Sequence, residues 1–75
     1  MHMGSLTTTH KKLGERIKQL RKERNMTQED LAFKVAVDRS YMGFVERGEK
    51  NPTLDKLIKI ANALNVSLSE LLRSL

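Results

Sequence analysis

Two short helices joined by a tight turn are predicted in residues 27–47, where the sequence reads TQEDLAFKVAVDRSYMGFVER. In the first half, Leu31 and Val35 are four residues apart and share one helical face. In the second half, Met42 and Val45 are three apart and share another. Helices this short bury their apolar faces by packing on each other, so the polar start of the second helix is left facing outward.

The residues that flank these two segments are typical helix caps. Thr27 is a good N-cap for the first helix, and Asp30, three residues later, completes a variant of the capping box. Asp38 is a good N-cap for the second helix and directly follows the apolar Val37. Gly48 can take a positive φ and is expected to end the second helix.

Three further helices are predicted on the same grounds. Leu13, Ile17 and Leu20 form the buried stripe of a helix over 9–24, which Thr7, Thr8 or Thr9 would cap. A Ser67-x-x-Glu70 capping box begins a fifth helix that reaches about residue 74. Between them, a helix over 53–64 has one apolar face, formed by Leu54, Leu57, Ile58, Ala61 and Leu64. Five short helices with no strand pattern predict a compact all-α domain.

Length and composition limit the possibilities further. With 75 residues the chain forms one domain, and we expect residues 1–8 to be tag and disordered N-terminus and residues 9–75 to form the domain. It has no cysteine, no visible signal peptide and no apolar run near the roughly 20 residues that span a membrane. The net charge is +5, and the basic excess lies in the first helix, with seven Lys and Arg against two Glu over 10–24. We therefore expect a cytoplasmic protein, and the charge fits a nucleic-acid partner.

The stretch 27–47 resembles the helix-turn-helix of the phage repressor/Cro superfamily, and the resemblance extends over roughly residues 12–72. Gln28 opens the unit, and the small Ala32 lies where the helices cross. The five core positions are apolar: Leu31, Val35, Val37, Met42 and Val45. Ala36 departs from the glycine that is frequent at the turn. The segment DRSYMGFVERGEKNPTLDKLIKIANALNVSLSELL is most similar to the controller proteins of restriction–modification systems. The resemblance implies a repressor-like five-helix fold, with the second and third helices as the DNA-binding unit.

The start of the third helix is where such a protein would read bases. Arg39 is expected to fork onto guanine O6 and N7, although a pair with Asp38 or with a phosphate is an alternative. Ser40 would contact a base or a phosphate. Tyr41 would place its ring against the DNA edge and its hydroxyl on a phosphate, with a partly buried ring as the alternative. Phe44 would contact a thymine methyl, and a packing role is at least as plausible.

Backbone contacts and one internal ion pair are implied by the resemblance. Phosphate contacts are expected from the second helix and from the loop after the third, namely Thr27, Gln28, Arg47, Lys50 and Asn51. Such contacts fix register and affinity and do not read sequence. Arg21 and Glu46 match a family ion pair that joins the first helix to the recognition helix, so we assign them a structural role.

A homodimer is expected because one helix-turn-helix reads only a few base pairs. Apolar residues near the C-terminus exceed what a short helix can bury, and the surplus could form a two-fold interface of Val66, Leu68, Leu72 and Leu75. The alternative is that all four are internal. A controller would bind an inverted-repeat operator in double-stranded DNA, activate from one site and repress from a second; activation would bring RNA polymerase in as a partner.

Catalysis is not expected from this composition. The sequence has no Cys nucleophile, no Ser/His/Asp set, no Gly-rich phosphate loop and no metal-spaced cluster, so neither a cofactor nor a metal is predicted. The alternative functions are a phage-type repressor, which promoter context would distinguish, and an antitoxin or other protein-interaction module.

Overall fold

A computed structural model describes residues 4–73 and 75. Within these residues the chain forms five helices and no strand: α1 (Gly4–Glu23), α2 (Gln28–Val35), α3 (Arg39–Glu46), α4 (Leu54–Ala63) and α5 (Leu68–Leu71). The predicted all-α, five-helix class is thus confirmed. No helix in the described part of the chain has both the length and the apolar character that crossing a membrane requires.

The helix-turn-helix is built as its sequence predicts. Leu31, Val35, Met42 and Val45 are buried, and Val37 packs against them. Their contact brings α2 and α3 together around a short turn. The backbone N–H of Val37 donates to Ala32 O across this turn, at 3.0 Å.

The turn takes a left-handed conformation although no glycine is present. Ala36 has φ 64° and ψ 43° and forms the C-cap of α2. For a residue with a Cβ this conformation costs roughly 1–2 kcal/mol. Backbone hydrogen bonds from Ala36 to Phe33 O and from Val37 to Ala32 O close the turn, and Asp38 caps α3 directly after it. The turn is therefore left-handed with an alanine at the position where glycine is frequent.

Two helix boundaries differ from the prediction. α1 begins at Gly4 instead of residue 9, so Thr7, Thr8 and Thr9 lie inside the helix and do not cap it. These β-branched residues are weak helix formers, but α1 continues through them. α5 ends at Leu71, short of the expected position 74, which lies outside the described residues. The division into a tag (1–8) and a domain (9–75) stays a prediction.

The apolar face of α4 was placed wrongly. Leu54 is 60% exposed and Ile58 is 40% exposed, so neither lies in the core. The buried face instead combines Leu57 with Ile60, Ala61 and Leu64, which follow the i, i+3, i+4, i+7 pattern. The same helix therefore presents two apolar side chains, one turn apart, on its outer surface.

Candidate nucleic-acid interface

The N-terminal end of α3 is the most exposed polar part of the helix-turn-helix. Asp38 caps it, because its Oδ1 accepts from the backbone N–H of Tyr41 at 2.7 Å. Arg39 and Ser40 are exposed in the first turn. Tyr41 is half-buried and packs against the core, which agrees with the packing alternative for its ring. The tip that can enter a groove is therefore formed by Arg39 and Ser40.

Arg39 pairs with Gln28 instead of Asp38. Its Nη1 donates to Gln28 Oε1 at 3.2 Å. This contact uses one of the five N–H donors of a guanidinium, and the side chain is exposed. Arg39 therefore has donors left for a bidentate contact with guanine, and α2 holds it from behind.

Gln28 also forms a hydrogen bond with a buried residue. Its Nε2 donates to Glu46 Oε1 at 3.0 Å, which joins the start of α2 to the end of α3. Gln28 is thus the residue that connects the exposed Arg39 to a buried carboxylate. The Gln28 amide is part-buried and already has two hydrogen-bond partners, Glu46 and Arg39. A phosphate contact from this side chain would be a third interaction.

The predicted ion pair between Arg21 and Glu46 is present and buried. Arg21 Nε and Nη2 donate to the two carboxylate oxygens of Glu46 at 2.6 and 3.0 Å, and the side chains are 8% and 2% exposed. Arg21 Nη1 also donates to the carbonyl of Met26 at 2.7 Å. We call the series Arg39, Gln28, Glu46 and Arg21 the polar chain; it connects the exposed start of α3 to α1.

Thr27 has a structural task at the start of α2. Its hydroxyl accepts from the backbone N–H of Asp30 at 3.0 Å, and its own N–H donates to Asp30 Oδ2 at 2.8 Å. The Thr27 backbone N–H lowers the pKa of the Asp30 carboxyl, with a smaller contribution from the Thr27 hydroxyl. Because the pKa of Asp30 is lower in the folded state than in the unfolded state, the charged carboxylate stabilises the helix above its ordinary pKa, and this contribution is lost as the pH falls through the lowered pKa.

At the C-terminal end of α3, an aromatic ring and two cations form a single exposed cluster. Phe44 is 38% exposed, with the guanidinium of Arg47 at 5.0 Å and the ammonium of Lys50 at 5.9 Å from its ring centroid. Arg47 Nε also donates to Glu49 Oε1 at 3.3 Å. The ring therefore holds two of the expected phosphate-binding side chains close to the recognition helix, and neighbouring Asn51 is exposed.

The residues expected at a dimer interface divide into two groups. Val66, Leu68 and Leu72 are partly buried against the core, whereas Leu75 is 40% exposed. Leu54 and Ile58 of α4 are further exposed apolar side chains that the sequence does not assign to a dimer interface. Sequence periodicity alone could not have found them, because Leu54, Leu57, Ile58 and Ala61 follow the same i, i+3, i+4, i+7 spacing as the buried stripe.

Gly14 was also missed. A Cβ at this position would lie 2.4 Å from the carbonyl oxygen of Glu46 and 2.6 Å from that of Val45. α1 therefore touches the end of α3 directly through its backbone. A glycine inside a helical pattern was the available signal.

Comparison with known proteins agrees with this geometry. A helix-turn-helix family model matches residues 17–71. The immunity repressor protein of Bacillus phage phi105 is 46% identical over 57 residues, which cover 76% of this chain and 40% of that protein. Control protein C.BamHI of Bacillus amyloliquefaciens is 42% identical over 60 residues, which cover 79% of this chain and 74% of that protein. These names are those of regulators, in agreement with the prediction that the chain is not an enzyme.

A solved structure with the same fold is that of a controller protein. The restriction-modification controller protein C.AhdI from Aeromonas hydrophila is 44% identical and superposes with a TM-score of 0.79. The match covers 81% of this chain and 92% of that one. The five-helix arrangement is thus found in a relative along most of its length.

Proposed function

This chain belongs to the helix-turn-helix family of DNA-binding transcriptional regulators, and we propose that it acts as a homodimer on an inverted-repeat operator, as a restriction–modification controller. One observation supports sequence-specific reading above all others: the exposed Arg39 at the start of α3 is held by Gln28 and keeps free donors. A bidentate Arg on guanine is the commonest specific contact in the major groove.

The other proposed contacts are arranged around Arg39. We assign base contacts to Ser40, Tyr41 and Phe44 as well, with Tyr41 and Phe44 limited by their packing to the edge of the site. Phosphates would be bound on the two sides of the reading tip, by Thr27 and Gln28 at the start of α2 and by Arg47, Lys50 and Asn51 after α3. Positive side chains and helix N-termini are the groups that bind such phosphates.

Selection of bound sequences from a random duplex pool, at about 0.15 M salt, tests this function directly. We expect an inverted repeat with a guanine in each half-site. Substitution of Arg39 by alanine should weaken binding to that duplex by about 1–3 kcal/mol for each protomer and relax the preference at that guanine.

Two controls separate base reading from charge. Arg39→Lys keeps the charge but lacks the planar fork, so it should lose the guanine preference while retaining binding to unrelated duplexes. Lys59→Ala removes one charge from an exposed position on α4 and should leave the preference intact. If Arg39→Ala and wild type select the same sequence with the same affinity, Arg39 does not read the operator. If no sequence is enriched by folded protein, an antitoxin-like interaction module becomes the better assignment.

We propose that the dimer surface contains Val66, Leu68, Leu72 and Leu75, joined by the exposed Leu54 and Ile58 of α4. Leaving such apolar side chains in water is unfavourable, and a small domain gains stability by covering them. In a two-fold dimer the same patch of each copy forms the interface, and an inverted-repeat operator has the same two-fold symmetry.

Charge placed on this surface should separate the protomers. We expect Leu54→Glu and Leu75→Glu to shift the sedimentation-equilibrium mass of the free protein from dimer toward monomer. Phe33→Glu is the matched control, because Phe33 is 85% exposed on α2 and lies outside the proposed surface. Dissociation by Phe33→Glu, with the other two variants still dimeric, would contradict the assignment.

The controller role is supported by how much of each relative the chain matches. It covers 74% of C.BamHI and 92% of C.AhdI, against 40% of the phage repressor. We place the protein in the cytoplasm with its operator, and RNA polymerase is the further partner that activation would require. Transcription in vitro from a promoter containing the selected operator, measured over a range of protein concentrations, would test activation and repression together.

A further inference from the structure

Three lysines of α1 lie on one exposed stripe. Lys11, Lys18 and Lys22 are seven and four residues apart, which corresponds to about two turns and one turn of helix. At about 1.5 Å per residue the stripe is roughly 16 Å long. Glu15 lies on the same side between the first two lysines, so the stripe has a net charge of +2 (three Lys less one Glu).

These lysines differ from the arginines of the same helix. Arg16 donates to the carbonyl of Glu70 at 3.1 Å, Arg24 donates to the carbonyl of Leu20 at 3.1 Å, and Arg21 is in the polar chain. In the part of the chain that the structure describes, no hydrogen bond or ion pair involves the side-chain ammonium of any of the three stripe lysines. The arginines hold the fold together, and the lysine ammoniums are left available for an external partner.

The stripe lies beside the proposed phosphate-binding loop. A Cβ on Gly48 would lie 2.8 Å from the Cα of Lys11, so the backbone of α1 abuts the residue that follows Arg47. Lys11, Lys18 and Arg47 line a common groove of about 560 Å³. Three carboxylates also line the groove: Glu46 binds Arg21, Glu49 binds Arg47, and Glu15 lies between the first two stripe lysines.

We propose that Lys11, Lys18 and Lys22 form a second contact with the DNA backbone, which binds phosphates that flank the half-site read by α3. This inference rests on the proposed function and extends it from the helix-turn-helix to α1. DNA presents one phosphate per about 3.4 Å of axis on each strand, so a stripe of this length can meet several of them. It also accounts for the basic excess of α1, which reading by α3 does not require.

The salt dependence of operator binding tests this contact. The triple variant Lys11→Gln, Lys18→Gln and Lys22→Gln should bind the selected operator with a shallower dependence on salt. The slope of log affinity against log salt should fall by about 0.9 for each lysine in each bound protomer. Lys34→Gln, Lys56→Gln and Lys59→Gln together form the matched control, because both variants change the net charge from +5 to +2.

Duplex length provides a second measurement. On a duplex trimmed to the operator alone, wild type and the triple variant should bind nearly equally. On a duplex with ten extra base pairs at each end, wild type should bind more tightly than the triple variant. Thermal unfolding of each variant checks that the fold is intact.

Several outcomes would overturn the stripe as a DNA contact. An unchanged salt slope in the triple variant would do so, and an equal fall of the slope in the control variant would show a general charge effect instead. Neither result affects base reading by Arg39. If wild type selects no operator, the proposed function fails, and the same slope comparison on a random duplex still decides whether the stripe binds DNA.

Discussion

Substitution of Glu46 by glutamine is expected to lower the free energy of unfolding by about 3–5 kcal/mol, because it leaves the buried Arg21 without a counter-charge. The Arg21 and Glu46 side chains are 8% and 2% exposed, so water cannot replace the lost carboxylate. A domain of 75 residues has roughly 4–11 kcal/mol of stability in total. The variant should therefore be close to unfolding, which thermal and urea denaturation followed by circular dichroism will measure.

Glu49→Gln is the matched control for this prediction. It removes a carboxylate from an ion pair with Arg47 of 3.3 Å, but both side chains there are 54% exposed. Exposed pairs of this kind contribute about 0–1 kcal/mol. If Glu46→Gln costs no more than Glu49→Gln, the pair between α1 and α3 does not stabilise the fold. Replacing both Arg21 and Glu46 with methionine should recover part of the loss, because no unpaired charge then remains buried.

The polar chain also limits what a binding assay on Glu46 can show. Glu46 accepts from Gln28, and Gln28 accepts from Arg39, so loss of the carboxylate disturbs the side chain that we propose reads a base. A Glu46 variant that no longer binds the operator would therefore not identify Glu46 as a DNA contact. Binding should be compared only at temperatures where the variant is folded.

Local signals predicted much of the fold. The caps Thr27, Asp38 and Ser67 all accept a backbone N–H three residues later, as their sequence positions predict. Capping and apolar periodicity act within one or two turns of helix, so they are written in contiguous sequence. This is why the helix-turn-helix and its core could be predicted from the sequence alone.

Contacts between residues far apart in the sequence could not be predicted in the same way. Nothing in the sequence spacing links Arg39 to Gln28, and the alternative partner considered for Arg39 was its neighbour Asp38. On α4, an apolar face containing Leu54 and Ile58 was as regular as the true one with Ile60. Which of two apolar stripes is buried depends on the position of the neighbouring helices, which periodicity alone does not fix.

Contacts of backbone with backbone are the hardest to predict, and Gly14 is the clearest case. Its lack of a side chain allows α1 to approach the last turn of α3. A sequence reading finds a glycine in a helix and expects only a loss of helix propensity. The reason for the glycine becomes visible only when the second helix is in place.

Substitution of Gly14 by alanine is accordingly expected to destabilise the protein by about 3 kcal/mol, the upper end of what overpacking costs. The new Cβ would lie 2.4 and 2.6 Å from two carbonyl oxygens, of Glu46 and Val45, and both belong to the backbone. Neither can rotate away as a side chain would, so α1 must move off α3. For a domain of this size each kcal/mol lowers the melting temperature by about 4–8 °C, which a thermal scan resolves easily.

Gly43→Ala is the control, because it adds the same methyl group to a helical glycine on α3. The nearest atom to its Cβ would be Arg47 Nη1 at 3.2 Å, the end of a flexible side chain that can shift. Relief of the helix penalty of glycine should then leave this variant unchanged or up to about 1 kcal/mol more stable. Opposite signs for the two glycines would establish that α1 and α3 meet backbone to backbone at Gly14. A Gly14→Ala variant as stable as wild type would mean that the two helices can separate there without cost, and that the contact does not position α3.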